Sequence, residues 1–146
     1  LDLSYCENIK DVSALGLVNT LDLSGCQHIT DVSALGLVHT LDLSGCKNIR
    51  DVSMLGSVHT LNLNYCKNIK DVSRLGSVHT LDISGCKKIK DVGNLRNLKI
   101  LTIGNKILNI YLLKNLEVLH VNKSEKVERT IKKLKEINKG VEIKFI

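Results

Sequence analysis

A repeat of 20 residues runs through residues 1–100 and limits what the chain can fold into. From Leu21, Leu41 and Leu61 the successive units read LDLSGCQHITDVSALGLVHT, LDLSGCKNIRDVSMLGSVHT and LNLNYCKNIKDVSRLGSVHT. Residues 1–20 and 81–100 follow the same template, although the latter departs from it after Asp91. A unit this short cannot bury an apolar face by itself, so the repeat predicts a solenoid of stacked coils.

The apolar positions of each unit predict one short strand. Leu41 and Leu43 are two residues apart, so both point to the same face of a strand. Cys46 and Ile49 continue the buried side as the chain leaves that strand. Strands of successive coils are expected to lie about 4.8 Å apart in a parallel sheet, with equivalent residues aligned in columns.

The second half of each unit predicts a tight turn on the opposite side of the coil. Val52 and Leu55 are three residues apart, which suits a single 3₁₀ turn. Asp51 and Ser53 are residue types that cap the exposed amides of such a turn. We expect Gly56 to end the turn with a positive φ.

The C-terminal part of the sequence differs from the repeats and predicts a terminal cap. The strand pattern persists at Leu98, Leu101, Ile103, Leu116, Leu119 and Val121, around a shorter and irregular stretch at residues 104–115. A helix capped by Ser124 and ended by Gly140 is expected next, with an apolar stripe at Val127, Ile131, Leu134 and Ile137. Residues 141–146 read as a last strand. We therefore assign residues 1–121 to the array and 122–146 to a helix-strand cap.

Composition excludes several classes of protein. The 43% content of hydrophobic residues excludes a disordered chain, and no apolar run reaches the 18 residues typical of a membrane span. Of the net charge of +6, +4 lies in residues 121–146, which favours a solvated helix face over a nucleic-acid site. The sequence begins within a repeat and without Met, so we expect the natural protein to extend further at its N-terminus.

The segment VHTLDLSGCKNI at residues 38–49 resembles the LxxLxLxxCxxI strand segment of leucine-rich-repeat proteins. The Asp-Val-Ser-x-Leu segments at residues 31–35 and 51–55 are similar to the convex stretch of internalin-type repeats, and the Leu-Asp-Leu-Ser-Gly-Cys segments to the cysteine-containing repeats of F-box proteins. Arrays encoded by giant DNA viruses contain similar 20-residue units. The resemblance implies an α/β solenoid with a curved parallel sheet, a convex side of short 3₁₀ or irregular turns, and ligand binding on the concave face.

Polar residues that flank the buried leucines form columns on the predicted concave face. The main column is acidic, with Asn62 in place of aspartate in one unit, and threonine and serine columns run beside it. Tyr5 and Tyr65 interrupt a neighbouring column of glycines with amphipathic rings. The predicted partner contacts are Tyr5, Asp22, Ser24, Thr40, Asp42, Ser44, Asn62, Asn64, Tyr65, Asp82 and Ser84. The alternative is that duplication copied these surface residues without a binding role.

Three further columns have simpler structural interpretations. The cysteines Cys6, Cys26, Cys46, Cys66 and Cys86 lack the short paired spacing of zinc sites, so we expect buried free thiols, which suit a cytoplasmic or nuclear setting. The histidines His39, His59 and His79 could bind a metal or sense pH, but a surface column is the simpler interpretation. The basic residues Lys10, Arg50, Lys70 and Lys90 each precede an aspartate, which suggests local charge balance, with a phosphate-binding edge as the alternative.

These observations predict a non-catalytic module that binds a protein partner on its concave face, without metal or other cofactor, nucleic acid or membrane. The sequence has no nucleophile-base pair and no Gly-rich phosphate loop that would indicate an enzyme. One alternative is the substrate-recognition part of an F-box-type ubiquitin-ligase adaptor, and another is a structural or decoy array with no specific site. The exposed first strand is an open edge through which the chain could also self-associate.

Overall fold

Seven parallel strands form one sheet in sequence order, as the repeat predicts. The computed structural model describes residues 1–104, 107, 109–122 and 125–146. The strands are β1 (Thr20–Asp22), β2 (Thr40–Asp42), β3 (Thr60–Asn62), β4 (Thr80–Asp82), β5 (Ile100–Ile103), β6 (Val118–Val121) and β7 (Glu142–Phe145). Residues 1–6 lie beside β1 at the strand position of the first coil, and a parallel bridge joins Asp2 to Asp22. The solenoid architecture is thus confirmed.

The register of the sheet follows the repeat period. Leu21, Leu41 and Leu61 are aligned across β1 to β3, an offset of 20 residues at each step. From β5 to β6 the offset falls to 18 residues, because Leu101 pairs with Leu119. The chain between Leu101 and Leu119 is therefore two residues shorter than the repeat period, as the sequence predicts.

The core is a set of aliphatic columns inside the coils. Leu41, Leu43, Cys46 and Ile49 are all within 1% of complete burial, and their equivalents in the neighbouring coils are buried in the same way. No polar or charged residue of the described chain is buried. Since every coil contributes the same apolar set, each coil covers the open side of the coil before it.

The convex side consists of short 3₁₀ turns that become irregular toward the C-terminus. The 3₁₀ turns span Ser13–Leu15, Ser33–Leu35, Ser53–Leu55 and Ile110–Leu112, whereas the equivalent segments at 73–75 and 93–95 are plain turns. Asp51 accepts a hydrogen bond from the backbone amide of Ser53 at 2.8 Å and so satisfies the first amide of the turn, although the N-cap position itself is occupied by Val52. The same donation holds the pKa of the Asp51 carboxyl below its ordinary value.

Gly56 ends the 3₁₀ turn, as predicted, but the predicted positive φ is wrong. Its φ is −62°, in the right-handed helical region, and Gly16 and Gly36 have similar values. Glycine is required there because the next coil passes close by: a Cβ on Gly56 would lie 2.5 Å from the carbonyl oxygen of Arg74. The constraint is thus steric and acts between coils.

The array ends in a helix and a last strand. Helix α1 (Glu125–Ile137) buries Val127 and Leu134, with Ile131 partly buried. Ile137, expected on the buried stripe, is 50% exposed because it lies about 80° around the helix from Val127. The helix ends at Ile137, three residues before Gly140, and the side-chain amide of Asn138 donates to the carbonyl oxygen of Leu116 at 2.6 Å. The predicted cap residue Ser124 lies outside the described residues.

Candidate functional site: the concave face

We call the sheet surface opposite the core the concave face. Residues of the strands alternate between the core and this face, so Leu21 is buried while Thr20 is exposed and Asp22 is partly exposed. The parallel register places Thr40 beside Thr60 and Asp42 beside Asn62, and so on along the sheet. All the predicted contact residues are at least partly exposed, at the positions expected from the repeat.

The acidic column has a structural role that the repeat pattern did not reveal. The backbone amide of Ser44 donates to Oδ1 of Asp42 at 2.7 Å, and Asp22 and Asp82 make the same bond with Ser24 and Ser84. This side chain to backbone turn ends each strand. The turn accounts for the recurrence of aspartate, for which the sequence suggested only partner binding or duplication.

Asn62 shows which part of the aspartate side chain the turn requires. Its amide oxygen accepts the backbone amide of Asn64 at 2.9 Å, as the carboxylate does in the other coils. Its amide nitrogen donates to the second carboxylate oxygen of Asp42 at 2.8 Å. The turn therefore needs an oxygen acceptor and not a negative charge, which leaves the charge itself free for another role.

Two tyrosine rings stand out on the rim of the concave face. Tyr5 and Tyr65 are 77% and 57% exposed and have φ values of 56° and 58°, in the left-handed region. The other members of their column in the repeats are glycines with φ between 74° and 78°. Because β-carbon-bearing residues avoid this region, tyrosine at these two positions carries a conformational cost that glycine does not.

Each tyrosine ring covers the glycine of the following coil. A Cβ built on Gly25 would lie 2.6 Å from Cδ1 of Tyr5, and one on Gly85 would lie 2.9 Å from Cδ1 of Tyr65. Between the two rings, the backbone at Gly45 remains uncovered by a ring, and its nearest neighbours there are backbone atoms of Gly25. This edge of the concave face thus presents two amphipathic rings, with glycine backbone between them.

The cysteine column forms a ladder of hydrogen bonds. The thiols of Cys46, Cys66 and Cys86 each donate to the carbonyl oxygen of the residue 23 positions earlier, at 3.1, 3.0 and 2.9 Å. All five cysteines are free and four of them are buried, as expected, but Cys6 in the first coil is only partly buried. Burial raises the pKa of Cys46 and Cys86 to about 12, so these thiols remain protonated and serve as structural groups.

The histidine column is a stack of imidazole rings. His39 and His59 have ring centroids 4.7 Å apart with an interplanar angle of 7°, and His59 and His79 are 4.4 Å apart at 13°. Parallel rings direct their nitrogen lone pairs along parallel lines, so these rings do not converge on a metal ion. Within the described residues, no group of three or more metal-ligating side chains could hold a metal ion.

The basic column is not neutralised by direct ion pairs. The ion pairs between described residues are Lys99 with Glu117 and Lys144 with Glu142, and neither involves this column. The aspartates that follow the basic residues instead accept backbone amides on the convex side, as Asp51 and Asp71 do. The predicted local charge balance therefore does not take the form of contacts between these neighbours.

Two apolar residues that the sequence pattern did not single out are also exposed. Leu17 and Leu37 are 90% and 76% exposed in the turns that precede β1 and β2. The equivalent residues of the next two coils are Ser57 and Ser77. This change from leucine to serine was the sequence signal that the position is exposed.

Comparisons with known proteins agree with this architecture. Residues 17–38 match the family model described as Leucine Rich repeat. No curated protein sequence matches the chain. The repeated strand segment and the parallel solenoid of this chain have the architecture of leucine-rich-repeat proteins. Among solved structures, internalin C2 from Listeria monocytogenes is similar with a TM-score of 0.57 and 23% identity, over 94% of this chain and 67% of that one.

Proposed function

We propose that this chain is a non-catalytic module that binds a protein partner through its concave face. The observation that carries the proposal is the pair of exposed rings, Tyr5 and Tyr65, held at left-handed positions where the other coils have glycine. A conformational cost accepted for an exposed aromatic ring is consistent with a role outside folding. Tyrosine is also enriched among the residues that dominate protein interfaces.

The rigid support beneath the rings favours the same proposal. Hydrogen bonds between strands fix the columns at steps of about 4.8 Å, so little backbone order has to be gained on binding. The polar contacts that we propose beside the rings are Asp22, Ser24, Thr40, Asp42, Ser44, Asn62, Asn64, Asp82 and Ser84. Among them, the carboxylates keep a charge that their turns do not require.

The chain itself supplies substitutions for a test that leaves the fold intact. Tyr5→Gly and Tyr65→Gly install the residue that Gly25 and Gly45 place in the same column, and Asp42→Asn copies Asn62. The matched control lies in the turns that precede β1 and β2 and is Leu17→Ser with Leu37→Ser, which copies Ser57 and Ser77.

Immobilised native chain, the triple concave variant and the control would be compared for capture of proteins from an extract of the source cells. We expect a partner retained by the native chain and the control, and lost by the concave variant. The captured protein would then be purified and its affinity for all three chains measured. Equal affinity for the native chain and the concave variant would contradict the proposal and favour an array that lacks a specific concave site.

Two further proposals concern the cellular location and the F-box adaptor alternative, and each rests on a single feature of the chain. Five free cysteines suit a reducing compartment, so we propose a cytoplasmic or nuclear location. No described helix combines the length and the apolar character required to cross a bilayer. The F-box adaptor alternative rests on the cysteine-containing strand segment alone. Capture of a ubiquitin-ligase subunit by the full-length protein would support that alternative, and its absence would count against it.

A further inference from the structure

A second surface of the array carries concentrated positive charge. We use the name basic rim for residues 47–51, 67–71 and 87–91, which form the turns that leave β2, β3 and β4. The basic rim contains seven lysine or arginine residues and three aspartates, a balance of +4. The equivalent residues of the two preceding coils, 7–11 and 27–31, contain one lysine and three acidic residues, a balance of −2.

The cations of the basic rim are exposed and unpaired with described carboxylates. Every lysine and arginine within it is exposed, and neither of the ion pairs between described residues involves them. Lys88 and Lys90 donate through Nζ to neutral oxygens, at 2.6 Å to Asn68 and 2.7 Å to the Lys87 carbonyl. Such contacts orient an ammonium group but leave its charge uncompensated.

The turns that carry the cations are fixed relative to one another. The side-chain amide of Asn48 donates to the carbonyl oxygen of Gln27 at 2.7 Å, and that of Asn68 donates to the carbonyl oxygen of Lys47 at 2.8 Å. These bonds between coils hold the backbone of Lys47 and Lys67 one coil apart. The result is two parallel rows of cations, one at Lys47, Lys67 and Lys87 and the other at Arg50, Lys70 and Lys90.

We infer that the basic rim binds an extended acidic segment of a partner protein. The argument is charge complementarity: an uncompensated cationic strip attracts a strip of carboxylates and suppresses basic partners. An acidic peptide fits better than a nucleic acid because the basic rim contains no aromatic side chain on which a base could stack. Aromatic side chains for base stacking are also scarce, at 3% of the chain. The basic rim shares no residue with the proposed concave-face site, although Lys67 lies two residues after Tyr65.

Fluorescence anisotropy of a labelled deca-glutamate peptide, in 50 mM NaCl, tests the inference on the whole chain. The second coil supplies the substitutions, since Gln27 and Thr30 occupy the two cation rows there. The rim variant carries Lys47→Gln, Arg50→Thr, Lys67→Gln and Lys70→Thr. The control removes four exposed charges from the C-terminal part and carries Lys114→Gln, Lys132→Gln, Lys135→Gln and Lys139→Gln.

We expect the rim variant to bind deca-glutamate at least about tenfold more weakly and the control to change affinity by less than about threefold, since each exposed pair contributes modestly. Both variants should keep the native urea midpoint, because all the substituted side chains are exposed. A rim variant that loses its fold would be replaced by the pair Lys67→Gln and Lys70→Thr, for which a smaller loss in the same direction is expected.

Four outcomes would overturn the inference. The first is that the native chain does not bind deca-glutamate. The second is that the rim variant and the control lose the same affinity, which would show a response to net charge alone. Tighter binding of single-stranded poly(U) RNA than of deca-glutamate would replace the acidic segment with a nucleic acid. A concentration-dependent dimer in sedimentation equilibrium that disappears in the rim variant would identify the occupant as a second copy of this chain. Because the tyrosine variants leave the basic rim intact, a failed concave-face test does not affect this one.

Discussion

The thiol of Cys46 donates a hydrogen bond to the carbonyl oxygen of Leu23, 3.1 Å away on the preceding coil. The same carbonyl accepts the backbone amide of Cys26 at 3.1 Å, so one oxygen joins the end of one strand to the turn of the next coil. Repetition of this arrangement along the array makes the cysteine column part of the contact between coils.

Replacement of Cys46 by alanine is expected to destabilise the chain by about 1–2 kcal/mol, because it removes the bond between coils and leaves a small void in the core. The matched control is Cys6→Ala, since Cys6 is only partly buried in the first coil. Urea unfolding followed by circular dichroism measures both. If both variants lose the same free energy of unfolding, the hydrogen bond and the fuller burial of Cys46 contribute little to stability.

The thiols should differ in reactivity along the column. Burial raises the pKa of Cys46 and Cys86 to about 12 and also raises the pKa of Cys66, so these groups are both protonated and inaccessible at pH 8. We expect iodoacetamide to modify Cys6 in the native chain and the buried thiols only after unfolding in urea. Peptide mass spectrometry reads out each site. Rapid native modification of Cys66 would indicate that the coils open frequently.

Gly56 and Gly76 occupy the same repeat position and should respond differently to alanine. A Cβ on Gly56 would lie 2.5 Å from the Arg74 carbonyl oxygen, whereas one on Gly76 would lie 3.8 Å from the Asn94 carbonyl oxygen. Gly56→Ala should cost about 1–3 kcal/mol of stability as the next coil shifts, and Gly76→Ala should change stability by less than about 0.5 kcal/mol. Thermal unfolding compares the two variants. A loss at Gly76 equal to that at Gly56 would disprove the steric explanation.

The stacked histidines predict a dependence of stability on pH. Partial burial lowers the pKa of His59, and the neighbouring His79 and His39 lower it further. The unfolded chain therefore binds a proton more readily, so the contribution of neutral His59 is fully present above about pH 6.5 and is lost as the pH falls through the lower folded value.

The melting temperature should therefore fall between pH 7.5 and 5.5, and His59→Asn should reduce this fall. Asparagine is compatible with the column, because Asn19 occupies the equivalent position in the first coil. The melting temperature of each protein is measured at both pH values and at constant ionic strength, and the fall in the native chain is compared with the fall in the variant. An identical fall in the native chain and the variant would mean that other groups cause it.

Periodicity by itself determined much of this protein. The spacing of Leu41, Leu43, Cys46 and Ile49 was sufficient to predict the strands, the buried columns and the parallel register, because stacked identical units have few ways to bury such a pattern. The residues of the concave face followed from the same alternation. The cap could be located from its helical stripe, although Ile137 shows that spacing did not define the boundary of its buried face.

Only the tertiary structure showed which contacts the residues of each column make with the neighbouring coils. Repeat register identifies the neighbours of Tyr5, but it does not reveal that the ring leans over Gly25. It likewise did not show that Asp42 ends a strand by accepting an amide, or that Gly56 is required by a passing carbonyl. The physical reason is that sequence spacing fixes which residues meet between coils, whereas side-chain direction and atomic distance depend on backbone dihedrals and on how closely the coils pack.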